Sequence, residues 1–282
     1  MSESVADLDL RDHLRAVASG ATLSEADAEA VFGAFMAGTA SAVVMAGLLM
    51  GMQARGVVAA DVAGGERAHR TAMVPVPAPH PHGRVDTAGT GGGAVTTFNI
   101  STAAALVAAG AGVRMAKHGN RSFTSRSGSA DVLEALGVTI ELTPERMGEV
   151  LADVGLVFMF APLLHPAMRH VGPVRRGLGV PTVMNLLGPL TNPAGARRQV
   201  VGVSDPALLP LVVQGLEALD HLHALVVHGA PGMDELSPAG PTRIFELADG
   251  LVAESVGTPE SLGLESGPLD DLAGGEPDDN AR

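Results

Sequence analysis

The sequence predicts an α/β protein: a small helical domain followed by a larger α/β domain with a mostly parallel central sheet flanked by helices. Three observations predict it. Residues 4 to about 70 carry apolar positions at helical spacing. After a proline-spaced stretch, short apolar runs alternate with longer Ala/Leu-rich helical segments, the pattern of strand–helix–strand units. Most of those short runs lead directly into polar, Gly-bearing loops.

The helical part opens with Leu8, Leu10, Leu14 and Val17 and resumes with Val31, Phe35 and Met36. Ser24, followed by Asp27 and Glu29, marks a helix start, because acidic groups favour the positive end of a helix dipole. Ala30–Ala54 carries no charge and is long enough to cross a bilayer. Gly38-Thr39-Ala40-Ser41 interrupts it, and no Lys/Arg cluster flanks it, so two packed helices are expected there instead of a membrane span. The N-terminus has neither the basic nor the apolar segment of a signal peptide. Pro75, Pro77, Pro79 and Pro81 predict an extended linker.

Beyond the linker, strands are expected at Arg84–Asp86, Val113–Lys117, Leu156–Phe160, Gln199–Val203 and Leu222–Val227. Helices are expected at Thr102–Ala111, Ala130–Leu136, Pro144–Val154 and Ala207–Leu219, with Gly137 as a C-terminal stop. The stretch from Asp249 is acidic, rich in Gly and Pro, and shows little periodicity.

Composition removes several functions. With 18 Lys+Arg against 31 Asp+Glu, the formal charge of −13 opposes general nucleic-acid binding, which needs a surplus of cations. Aromatic residues are 2% of the chain, so base-stacking platforms are scarce. The absence of cysteine excludes disulfides, thiolate catalysis and Cys-ligated metals, and fits a reducing cytoplasm.

In open α/β sheets, ligands bind beyond the carboxyl ends of the strands, so the Gly-bearing loops should converge on one site. Gly89-Thr90-Gly91-Gly92-Gly93 lets backbone amides approach an anion closely; a ligand-free glycine turn is the alternative. Asn99, Ser101 and Thr102 follow at an expected helix N-terminus, which also favours phosphate. No Gly-Lys-Ser/Thr follows, so this is not a Walker loop, and the dinucleotide fingerprint lacks its third glycine and its acidic residue. Lys117 is the only lysine in the chain and ends an apolar strand, where an ammonium suits a phosphate oxygen. Four of the five asparagines, Asn99, Asn120, Asn185 and Asn192, sit in Gly- or Pro-marked loops; for Asn192-Pro193 a turn role is expected. Ser122–Ser129 offers hydroxyls and amides as a second phosphate cradle or a flexible loop. Asp234-Glu235 reads as a Mg²⁺-ligating pair or as the acidic first turn of a helix. Arg175 and Arg176 share a helical stretch with His165, Arg169 and His170, either a carboxylate clamp or a solvated basic face.

Taken together, GTGG, TFNIST (Thr97–Thr102), KHGNR (Lys117–Arg121), SGSADVLEALG (Ser127–Gly137), HPAMRHVGPVRRGLGVPTVMNLLGPLTNPA (His165–Ala194) and VVHGAPGMDELSPAGPT (Val226–Thr242) closely resemble the anthranilate phosphoribosyltransferase family. The resemblance implies transfer of a phosphoribosyl group from 5-phosphoribosyl 1-pyrophosphate to anthranilate, with Mg²⁺, in a cytoplasmic homodimer of tryptophan biosynthesis. It implies a helical domain at 1–70 joined by a middle segment near 164–179, and an α/β domain at 71–163 and 180–282. It assigns Gly89, Gly92, Gly93, Thr97, Asn99, Ser101, Thr102, Lys117, Thr124, Ser125 and Ser129 to phosphoribosyl pyrophosphate. It assigns Gly89, Asn120, Arg175, His118, His165 and Pro162 to anthranilate, and Ser101, Asp234 and Glu235 to the metal. An arylamine is already a neutral nucleophile, so no general base is assigned.

The chain departs from the family pattern in three places. Gly93 stands where an Asp is usual, Thr39-Ala40 replaces an acidic turn, and the family pattern continues beyond Asn280-Ala281-Arg282. Two alternatives follow: a noncatalytic, nucleic-acid-binding relative on the same fold, or a truncated inactive subunit. A pyrimidine nucleoside phosphorylase is a third, but its Lys-His-Ser-Thr-Gly-Gly loop is absent.

Overall fold

The computed structural model describes residues 10–78, 83–122 and 126–282. The chain divides into two compact units: one takes residues up to Val74 together with His165–Thr191, the other Pro75–Leu164 and Asn192–Arg282.

The first unit is helical: α1 (Leu10–Ala18), α2 (Glu25–Ala37), α3 (Ala42–Arg55), α4 (Ala59–Ala72), α9 (Met168–Leu178) and α10 (Met184–Leu190). Ser24 caps α2 as its sequence predicts, its hydroxyl accepting from the Asp27 amide at 3.1 Å. The uncharged stretch breaks at Gly38, whose φ of 72° ends α2, and restarts at Ser41, the cap of α3. No described helix is long and apolar enough to cross a membrane. Phe32, Phe35, Met45, Leu48, Leu49 and Met52 are fully buried and form the core. The unit extends past residue 179 because Met184–Leu190 forms a helix that packs on α4.

The second unit contains a seven-stranded sheet ordered β3-β2-β1-β4-β5-β6-β7. Its parallel part comprises β1 (Arg84–Gly89), β2 (Arg114–Gly119), β3 (Leu156–Phe160), β4 (Arg198–Gly202) and β5 (His223–Gly229). The helices of this unit are α5 (Ile100–Gly110), α6 (Ser129–Ala135), α7 (Pro144–Val154), α8 (Ala161–Leu164), α11 (Leu209–Ala218, entered through a 3₁₀ turn) and α12 (Pro277–Asn280). All five expected strands form; β1, β2 and β5 run two or three residues further toward the loops, β3 keeps its expected bounds, and β4 is shifted by one residue.

Two strands were not expected. β6 (Thr242–Ala248) and β7 (Leu251–Gly257) add an antiparallel hairpin, so the segment after Asp249 is not structureless. The hairpin turns on Asp249 and Gly250, both at positive φ (51° and 73°). An Asp-Gly pair is a strong hairpin signal. β7 is exposed along most of its length, so no apolar alternation announces it. The segment after β3 is also not a Gly-bearing loop: Ala161-Pro162 opens the single turn of α8.

Candidate functional site

β1 lies between β2 and β4, so the chain leaves β1 and β4 toward opposite edges of the sheet. The crevice outside the carboxyl ends of such strands is the usual ligand position in open α/β sheets. The loop Gly89–Gly93 begins here, with Gly91 and Gly92 at φ +69° and +76°. Thr90 N donates to the Gly202 carbonyl at 2.9 Å, and Thr90 Oγ1 accepts from Ser204 N at 3.2 Å, fastening the loop to the end of β4. Residues 229–235 close the site from the side of β5. The Asp234 carboxylate accepts from Gly91 N at 2.9 Å, and Ala94 N donates to the Gly232 carbonyl at 2.9 Å. A Cβ on Gly202 would stand 1.6 Å from the Asp234 carbonyl oxygen, so only glycine admits this approach.

Asp234 and Glu235 lie in a bend, not in the first turn of a helix. Glu235 is held by the Ser101 amide at the N-terminus of α5. Burial, and then the Asp234 charge, raise its pKa to about 7, while Lys117 pulls the other way. This acid is short of positive charge. Two adjacent carboxylates with the nearby Ser101 hydroxyl are hard oxygen donors suited to Mg²⁺, which commonly takes one or two carboxylates plus substrate phosphates.

Lys117 is 3% exposed. Its Nζ donates to the Thr87 carbonyl at 2.6 Å and lies 3.3 Å from Thr87 Oγ1 and 3.2 Å from Ser101 Oγ. The ammonium is committed to protein oxygens instead of projecting past the strand. Burial pushes its pKa down, and Asp86 and Glu235 push it back up. Asp86 is fully buried, its pKa raised by burial and pulled down by Lys117. It accepts from His118 N at 3.1 Å, Asn192 Nδ2 at 2.8 Å and Gln199 Nε2 at 3.3 Å.

The remaining expected residues of this unit fall around the same loops. Asn99 precedes α5, donates to the Ser127 carbonyl at 3.0 Å and accepts from Asn280 Nδ2 at 3.0 Å. Thr97 bridges to Ala273, and Thr102 is buried. Ser129 Oγ donates to the Asn120 carbonyl at 3.2 Å, tying the start of α6 to the end of β2. Pro162 is exposed on α8. Thr124 and Ser125 lie outside the described residues. Sequence reasoning missed Asp86, Thr87, Gln199, Gly202 and Ser204; Gly202-x-Ser204 after a strand was the available signal.

In the helical unit, His165 is buried and Arg175 is half-buried on α9, with Arg176 exposed beside it. The Arg175 side chain makes no ion pair among the described residues. Burial lowers its pKa.

Residues 82–282 match the family model described as "Glycosyl transferase family, a/b domain", and residues 11–73 match "Glycosyl transferase family, helical bundle domain". An anthranilate phosphoribosyltransferase of Rubrobacter xylanophilus is 51% identical over 273 residues, 97% of this chain and 79% of that protein. The chain belongs to the anthranilate phosphoribosyltransferase family. Solved members of that family share its architecture. The Thermus thermophilus enzyme superposes with a TM-score of 0.90 at 47% identity, covering 96% of this chain and 80% of that one. The Saccharomyces cerevisiae anthranilate phosphoribosyltransferase, solved in complex with PRPP and Mg, gives 0.88 at 28% identity, covering 97% and 79%.

Proposed function

We propose that the chain transfers the phosphoribosyl group of 5-phosphoribosyl 1-pyrophosphate to anthranilate, releasing pyrophosphate. One observation carries the reading: the Gly89–Gly93 loop, Lys117 and the Asp234-Glu235 pair, far apart in sequence, meet around Ser101 and Gly91. Such a cluster suits a metal-bound diphosphate. The Gly loop and the N-terminus of α5 offer backbone amides to its oxygens. Asp234 and Glu235, with Ser101, would hold Mg²⁺, which when bound neutralises charge growing on the leaving pyrophosphate. Gly89, Gly92, Gly93, Thr97, Asn99, Thr102, Thr124, Ser125 and Ser129 complete the donor-substrate set in this reading. Lys117 acts from beneath it, orienting Thr87 and Ser101.

The acceptor is read onto Arg175, Asn120, His118, His165, Pro162 and Gly89. An unpaired, half-buried guanidinium is suited to the bidentate capture of a carboxylate. The amine needs only to be brought to the anomeric carbon, so proximity and leaving-group stabilisation supply the catalysis. The formal charge of −13 weighs against the nucleic-acid-binding alternative. The reading includes a homodimer, tested by light scattering, and a cytoplasmic location.

Anthranilate fluorescence should fall when phosphoribosyl pyrophosphate and Mg²⁺ are added together, and not with either alone. A chain that leaves the fluorescence unchanged under all three conditions refutes the reading. Arg175→Ala should raise the anthranilate KM by roughly tenfold or more, the value of a charge-assisted hydrogen bond, and leave the donor KM alone.

A further inference from the structure

The helical unit holds a buried polar cluster that none of the motif assignments uses. Glu66 on α4 is fully buried, and its carboxyl meets the Thr191 hydroxyl and, at 2.8 Å, the Arg70 guanidinium. Thr191 Oγ1 also lies 2.8 Å from the Leu187 carbonyl oxygen and 3.0 Å from His69 Nδ1. His69 is 5% exposed. Its ring packs against that of His165, with centroids 4.6 Å apart and planes inclined by 42°.

Counting hydrogens links the state of His69 to that of Glu66. The Thr191 hydroxyl has one proton, and the Leu187 carbonyl can only accept it. With Glu66 ionised, the proton goes to one of these two acceptors and His69 Nδ1 donates to Oγ1. With Glu66 protonated, the acid donates to Oγ1, and the arrangement in which Thr191 donates to Leu187 again makes His69 Nδ1 the donor. The ring is then the neutral Nδ1–H tautomer, and its Nε2 carries a bare lone pair with no partner among the described residues. Burial, reinforced by His165 and Arg175, lowers the His69 pKa to about 3, so the ring stays uncharged near neutral pH. The acid of the cluster is engaged by Arg70 and Thr191, which leaves the Arg175 charge without a counter-ion.

We propose that His69 is a positioning residue for the acceptor: Thr191 holds it in the Nδ1–H tautomer, and its ring seats His165, which belongs to the same helical unit as Arg175. The inference rests on the reading of Arg175 and His165 as anthranilate residues, and it adds His69 of α4 to the acceptor side of the helical unit. His69 touches no reacting atom; it acts through His165.

The test combines kinetics, equilibrium binding and nitrogen NMR on the full chain. His69→Ala should raise the anthranilate KM about tenfold, since small displacements of positioning groups are costly, with kcat and the donor KM changed by less than about twofold. His69→Phe, which keeps the flat ring, should recover most of the lost affinity. Nitrogen shifts of the wild-type chain should show His69 protonated at Nδ1 and bare at Nε2. An unchanged KM in His69→Ala, no recovery in His69→Phe, or the opposite tautomer overturns the proposal. Should His69→Ala fail to fold, the tautomer and the His69→Phe affinity decide alone. Calorimetry with anthranilate separates the two readings: a wild-type chain that binds none overturns both, whereas equal binding by wild type and His69→Ala overturns only this one.

Discussion

Ser101 joins Lys117 to Glu235: its hydroxyl lies 3.2 Å from the Lys117 ammonium, and its amide donates to the Glu235 carboxylate. One residue at the start of α5 thus links the end of β2 to the acid pair after β5. The single lysine of the chain is an internal strut of the site.

Lys117→Met should therefore damage folding as well as binding. It removes the positive charge nearest the buried Asp86 and leaves that carboxylate uncompensated, at a cost of about 3 kcal/mol. Affinity for phosphoribosyl pyrophosphate should fall with it, because Thr87 and Ser101 lose their common donor. Lys117→Arg should not rescue either property, since a planar fork cannot replace a compact ammonium among these oxygens. Urea unfolding and calorimetric titration measure the two effects; full stability together with full affinity in Lys117→Met contradicts the assignment.

Gly202→Ala tests the seat of the acid pair. Its methyl group would meet the Asp234 carbonyl oxygen at 1.6 Å, so residues 229–235 must move. Mg²⁺-dependent binding of phosphoribosyl pyrophosphate should weaken by on the order of a hundredfold, the scale seen for angstrom-level misplacement. The metal dependence of donor binding, followed by calorimetry, is the readout. A wild-type Mg²⁺ response in this variant means that the contact does not set the site.

Much of this site was legible in the sequence because its parts are local. A glycine run, a strand-ending lysine and an acid pair each carry chemistry in a few adjacent residues. The α/β alternation was legible for the same reason: buried parallel strands are short apolar runs, and Leu156–Phe160 and Pro144–Val154 form with the expected bounds. What stayed hidden depends on pairing across the chain. Asp86 reads as an ordinary strand residue until Asn192 and Gln199 are brought to it. β7 faces solvent and has no apolar pattern, so only Asp249-Gly250 marked its hairpin. Glu66 and His69 look like polar helix positions, because their burial is made by Leu187 and Thr191, more than a hundred residues away.

Asn192 does more than turn the chain before Pro193. Its amide nitrogen donates to Asp86 and to the Ala116 carbonyl, both at 2.8 Å, and its oxygen accepts from the Ala194 and Ala196 amides at 3.0 and 3.2 Å. Asn192→Ala leaves buried partners on β1 and β2 unsatisfied and should cost about 3 kcal/mol. Asn192→Asp should be worse, since it sets a second acid against Asp86. Thermal unfolding of both variants checks the order; an Asn192→Asp chain as stable as wild type would falsify it.

The Glu66–His69 pair should leave a signature in the pH dependence of stability. Burial raises Glu66 from 4.5 to about 7. The folded chain then holds a proton that the unfolded chain has released, so this contribution is full below about pH 4.5 and is lost as pH rises toward about 7. His69 is depressed from 6.5 to about 3, so its contribution is full above about pH 6.5 and is lost as pH falls toward about 3. Between about pH 4.5 and 6.5 the folded pair carries one proton on Glu66 and the unfolded pair carries one on His69, so the two slopes cancel. Removing either partner should expose the other. Relative to wild type, Glu66→Gln should gain stability as pH rises through that window, and His69→Phe should lose it, each by up to about 1.4 kcal/mol per pH unit. Guanidinium unfolding of the three chains at closely spaced pH values measures the differences directly. Parallel profiles for wild type and both variants would mean that neither group is held away from its ordinary ionisation, and the buried neutral pair would have to be abandoned.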